Sequence, residues 1–117
     1  MKIPFATALA CAVLALSACN PDPQAAYERR QALIKQSFPN PADRHGLHLV
    51  FPVSSALEVI YFPAQVSQSA IDRRVAGYCQ RLGKPKTTVK KAPAPSRATL
   101  ADGSQVPAVT VWYDCDA

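Results

Sequence analysis

The feature that most limits the fold is a pair of cysteines, Cys79 and Cys115, each set in an amphipathic pattern of a different period. Around the first, residues advancing by about 100° each place Ile71, Val75, Tyr78, Cys79 and Leu82 in one arc roughly 100° wide. This predicts a core-facing helix over 67–82, with Arg73, Arg74, Gln80 and Arg81 on its far side. Ser69 followed by Asp72 resembles a capping box, and Gly83 with Pro85 closes the segment. Around the second cysteine, Val109, Val111, Tyr113 and Cys115 alternate onto one face of a strand over 106–115. The two patterns are independent, and both bring a sulfur into a helix–sheet interface. A disulfide there competes with two unpaired thiols or a redox pair, although no C-x-x-C spacing is present.

The other elements fall around that pair. Asp22-Pro23 opens a helix over 23–36 with a modest stripe of Ala26, Tyr27, Leu33 and Ile34, and Phe38-Pro39 ends it. Asn40-Pro41-Ala42-Asp43 is a turn. Residues 47–51 and 57–62 read as a hairpin around Pro52-Val53-Ser54-Ser55. In the second run Leu57, Val59 and Tyr61 face one way and Glu58, Ile60 and Phe62 the other, so this strand belongs in the centre of its sheet. A strand over 86–91, an extended connector Ala92-Pro93-Ala94-Pro95 and a turn at Asp102-Gly103 lead to the last strand, where Pro107 argues for an edge or an irregular start. The expected fold is α+β: a small, mainly antiparallel sheet with one packed helix, in the order helix–β–β–α–β–β, bridged by one disulfide. One helix covers one sheet face, so the face of Ile60, Phe62 and Trp112 needs a cover. The N-terminal helix is the expected one; otherwise that patch is a partner or dimer surface.

The chain starts Met1-Lys2 and then runs from Ile3 to Ala18 without a charge, ending in Leu16-Ser17-Ala18-Cys19. A basic start, an apolar stretch and small residues at its end make a secretory leader. A transmembrane helix needs about 20 apolar residues and a basic stop-transfer flank, whereas Asn20-Pro21-Asp22-Pro23 follows here. Leu16-Ser17-Ala18-Cys19 resembles the processing site of bacterial lipoprotein precursors. That resemblance covers the first nineteen residues alone. It implies a leader of residues 1–18, lipid on Cys19, a linker and helix over 19–40 and a small domain over 41–117. Asn20, which is not Asp, leans the resemblance towards the outer membrane, with the domain facing the periplasm. Cys11 lacks the Leu and lies inside the apolar run. With Cys11 discarded and Cys19 lipidated, Cys79 and Cys115 are left as a pair in an oxidising compartment, where a disulfide is the default.

Removal of the leader leaves 99 residues, enough for one domain, with a net charge of +4. This suits anionic envelope partners and falls short of a nucleic-acid signature. From Arg73 to Arg97 there are eight Lys or Arg residues and no acid. A solvated face accounts for most such runs; the functional reading is an anionic partner held by Arg73, Arg74, Arg81 and Lys84. His45 and His48 lie near Asp43, but a metal site needs three or four converging ligands, and none is expected here. Gly-x-Ser-x-Gly and a glycine-rich phosphate loop are both absent from the sequence. The expectation is a non-enzymatic, lipid-anchored envelope protein without a cofactor, binding a protein or anionic partner or supporting an assembly. Its rivals are a small-ligand or metal-binding lipoprotein and a tethered enzyme, for which Asp43, His45 and Glu58 would have to share a pocket.

Overall fold

The structure, a computed structural model, describes residues 22–117. The expected leader and Cys19 lie outside the described residues. Helix α1 (Pro23–Ser37) begins as its sequence requires: the Asp22 carboxylate accepts the Gln24 N–H at 3.2 Å, and Pro23 takes the first turn, where no N–H is needed. Asn40 caps a 3-10 turn, Pro41–Asp43, in the same way. There follow β1 (Leu47–Val53), β2 (Ala56–Tyr61), α2 (Gln68–Arg81), β3 (Lys86–Thr99) and β4 (Gln105–Asp116). The fold is α+β in the expected order, and all three strand pairings are antiparallel, giving a sheet β1-β2-β4-β3. Among the described residues, no helix is long and apolar enough to cross a membrane.

Strand β2 is central, as its two apolar faces demand. Strand β4 is central as well, and Pro107 is tolerated there for a local reason. Pairing between β2 and β4 ends at Tyr61 and Val109, so Pro107 lies where β4 runs past β2 and has β3 alone beside it. Pro52 sits in β1, an edge strand, so the strand continues through it to a two-residue turn at Ser54-Ser55.

One face of the sheet carries the core. Leu57, Val59 and Tyr61 from β2 and Val111, Tyr113 and Cys115 from β4 meet Ile71, Val75, Tyr78 and Cys79 of α2. Each such aliphatic side chain contributes about 1.5–3 kcal/mol on burial. Cys79 and Cys115 are bonded in this interface, with Cα atoms 5.2 Å apart. Closing 36 residues of chain contributes about 4 kcal/mol by the loop-entropy argument, a large share of the stability of so small a domain. Ile34 and Phe38, at the end of α1, join the same cluster.

Three expectations need correction. The N-cap of α2 is Ser67, whose hydroxyl accepts the Ala70 N–H at 3.2 Å; Ser69 lies inside the helix, and Asp72 turns to the sheet instead of back to a cap. Leu82 is not in the core but 47% exposed, because it caps the helix beyond the last turn that packs on the sheet. The chain leaves through Gly83 (φ +75), with the Gly83 N–H on the Gln80 carbonyl and the Lys84 N–H on that of Cys79. Finally, Ala92–Pro95 is no connector. Strand β3 runs through it, with register shifts between Val89 and Lys91 and again between Lys91 and Ala94.

Among the described residues, nothing seals the opposite face. The strand register lines up Phe51, Glu58, Trp112 and Lys91 across the four strands, and Leu49, Ile60, Thr110 and Ala94 in the next row. Phe51 is 47% and Val53 44% exposed. Helix α1 is not the cover the sequence suggested. Its last turn goes into the core on the other side, and its first half borders His48 and Phe62.

Candidate functional site

Of the four basic residues singled out in the sequence, Arg73 and Arg74 border one cleft, and Arg74 and Arg81 are engaged by backbone carbonyls. Arg74 Nη1 donates to the His45 carbonyl at 2.7 Å, and Arg81 Nη2 donates to that of Ser37 at 2.8 Å with its guanidinium 6.0 Å from the Phe38 ring centre. Arg44 adds two more such bonds, Nε to the Phe38 carbonyl at 2.8 Å and Nη2 to that of Pro39 at 2.7 Å. Three guanidinium groups thus satisfy four carbonyls at the end of α1 and along its connection to β1. Arg73 borders a cleft of about 300 Å³ with Asp43, Arg74 and Gly77, and Lys84 is exposed past the end of α2.

The cationic surface lies further along the run. Lys86, Lys90, Lys91 and Arg97 are exposed on β3, an edge strand with no acidic residue. Lys86 to Arg97 lies opposite Asp116 to Pro107 of β4, which at the rise of an extended strand spans about 30 Å. Midway, from Val89 to Ala94, β3 advances five residues while β4 advances three, so β3 is bulged twice. Lys90 and Lys91 there line a cavity of about 420 Å³ together with Trp112, Asp114, Ser54 and Ser55. The Lys91 ammonium lies 5.5 Å from the Trp112 ring centre, within the range of a cation–π contact. The Lys-Lys pair was visible in the sequence as charge. What could have located it was the break in alternation at Lys90-Lys91-Ala92-Pro93, the signature of a bulge.

A second polar cluster ties α2 to the sheet. Tyr61 Oη donates to Gln68 Oε1 at 2.5 Å, Gln68 Nε2 donates to Tyr113 Oη at 2.9 Å and to Asp72 Oδ1 at 3.0 Å, and Tyr113 Oη donates to Asp72 Oδ1 at 2.6 Å. Burial, then the hydrogen bond to the Asp72 carboxylate, pushes the Tyr113 hydroxyl far above the usual phenol range. Burial raises Tyr61 as well, with the Asp72 charge adding to it. Both hydroxyls are therefore fixed as neutral donors, which suits a structural clasp better than proton transfer near neutral pH. The Thr87 hydroxyl, opposite Cys115 in the register, is buried without a partner.

The histidines point elsewhere. The His45 carbonyl is engaged by Arg74, while the His48 ring meets Phe62 edge-on at 5.6 Å. Burial, with the Arg30 charge second, lowers the His48 pKa and keeps the imidazole neutral. Among the described residues, no three His, Cys, Asp or Glu side chains come together as a metal site would require. Asp43 lies in the cleft beside Arg73, and Glu58 on the open sheet face opposite Trp112. No protein family matches the chain, and no characterised protein or solved structure matches it either.

Proposed function

We propose that this chain is a lipid-tethered envelope protein, non-enzymatic, that holds an anionic envelope partner along strand β3. The observation that carries this reading is the set of exposed cations on β3, Lys86, Lys90, Lys91 and Arg97, a strand with no acidic residue of its own. Within the same basic run, Arg74 and Arg81 are engaged by backbone carbonyls, so the load of partner binding falls on the lysines of the strand. The resemblance of Leu16-Ser17-Ala18-Cys19 to a lipoprotein processing site supplies the tether. Lipid on Cys19 attaches the chain through two or more acyl groups and leaves the folded domain's charge available for a partner.

Two measurements test this. Replacing Cys19 with Ala should abolish incorporation of labelled palmitate and release the chain from the membrane; continued labelling would refute the tether. Full-length protein in detergent should co-sediment with isolated anionic envelope polymers, and the bound fraction should fall steeply with salt. A variant with Lys86, Lys90, Lys91 and Arg97 all changed to Gln should lose that binding. If it sediments as the unaltered protein does, β3 is not the binding edge.

A further inference from the structure

We propose that the double bulge of β3 builds a site for an acidic sugar, a pyranose ring carrying a carboxylate or phosphate, on the open face of the sheet. The inference rests on the reading of β3 as an anion-binding edge and names the chemical unit that the edge selects.

In a regular strand Lys90 and Lys91 would point to opposite faces. The bulge removes that alternation, and both line the one cavity with Trp112. Two lysines lining one cavity concentrate positive charge there, and both are exposed and outside the core, with Asp114 the one acid in the same lining. Such a pair of cations suits an anionic ligand. The Trp112 indole steadies one of the two by holding the Lys91 ammonium 5.5 Å from its ring centre.

The remaining lining narrows the anion. Asp114 stands in the same cavity, and an ionised carboxylate accepts hydrogen bonds but donates none. It would repel a bare anion. It suits a ligand that carries hydroxyl donors beside its charge. Ser54 and Ser55 add two hydroxyls that donate or accept, and the indole offers apolar surface to ring C–H groups. Cation pair, acceptor, hydroxyls and aromatic surface together describe the two sides of an acidic sugar. The cavity, about 420 Å³, has room for a single ring, and it opens onto β3, along which a polymer of such units could continue. Ser54 is also the one non-glycine residue with positive φ (57°) among the described residues, so the turn that presents these hydroxyls is held in a conformation serine rarely adopts.

Trp112 is the only tryptophan in the chain, so its fluorescence reports on this cavity directly. Full-length protein in detergent is titrated with trigalacturonate and with glucose 6-phosphate, and with maltotriose, glucose and citrate as controls. The expected result is a saturable change with at least one acidic sugar, at least tenfold tighter than with its neutral counterpart or with citrate. The double variant K90Q/K91Q should weaken that binding at least tenfold, and D114N should narrow the preference for the sugar over citrate. Both lysines are exposed, so the melting temperature of K90Q/K91Q should match that of the unaltered protein. Equal binding of citrate, or of the neutral sugars, overturns the proposal. So does the absence of any saturable change while envelope polymers still co-sediment, an outcome that leaves the broader reading of β3 standing. If neither sugar nor polymer binds, both fall.

Discussion

Leu57 and Val59 of β2 are fully buried beneath α2, whereas Glu58 and Ile60 lie on a face whose β1 neighbours Phe51 and Val53 are 47% and 44% exposed. The two faces are written in alternate residues of the same strands, yet they are put together differently. On the helix side Leu57, Val59, Val111, Tyr113, Ile71 and Val75 are sealed, the Cys79–Cys115 cross-link is made, and the Tyr61–Gln68–Asp72–Tyr113 hydrogen bonds close on themselves. On the open side apolar, acidic and basic residues alternate across the strands, and the edge strand is bulged. Stability is concentrated on one face, which leaves the other free to carry chemistry that a core would not tolerate.

The largest test of that contrast is the cross-link. Opening Cys79–Cys115 with reductant, or replacing both cysteines with Ser, should cost about 4 kcal/mol. In a domain of this size that lowers the melting temperature by an amount on the order of 20 °C. A drop of a few degrees would mean that the unfolded chain gains little freedom from losing the bond. Next comes Leu57→Ala, which should cost about 3 kcal/mol in chemical denaturation through lost burial and the cavity left behind.

Tyr113→Phe should follow at about 1–2 kcal/mol, since Gln68 and Asp72 stay paired with each other. This residue also sets a pH dependence. The fold raises the pKa of Tyr113, and of Tyr61 and Tyr78, so the folded state holds phenolic protons that the unfolded chain releases from about pH 10. The stabilisation is complete below that pH and is lost as the pH rises towards the folded-state values. Denaturation followed between pH 9 and 11 should show stability falling, and falling less steeply in the Phe variant; equal slopes would remove Tyr113 from the account. The smallest effect should be Phe51→Ala, under about 0.5 kcal/mol despite the size of the side chain removed. A cost near that of Leu57→Ala would mean that the open face is part of the core.

The helix-side face was legible in the sequence because its signals are local. A period of two over Leu57–Tyr61 and Val109–Cys115, and a 3.6-residue arc through Ile71–Cys79, each fix which side chains are buried, and the two cysteines check one against the other. The misreadings share a cause as well. Leu82 continues the helical arc perfectly, but whether a position in that arc is covered depends on where the sheet ends. The Ala-Pro-Ala-Pro segment lacks strand propensity, and it pairs with β4 because an edge strand can turn a missing N–H away from its neighbour and absorb two extra residues as bulges. The fates of Arg44, Arg74 and Arg81 were invisible for another reason. A guanidinium on a long stem reaches carbonyls brought near it by tertiary packing, and no spacing along the chain encodes that. The charge of the basic run was therefore plain in the sequence, and its division into backbone clamps and exposed lysines was not.

Those clamps have a mechanical consequence. Helix α1 is 15 residues long, a rod of about 22 Å, and the bend where it meets β1 is braced at the carbonyls of Ser37, Phe38, Pro39 and His45. A pull on the Pro23 end is passed through the Arg74 and Arg81 bonds into α2, while Arg44 stiffens the connection itself, so the joint resists swivelling. The rod and the sheet turn together, and the direction in which α1 points fixes the direction in which the open face looks.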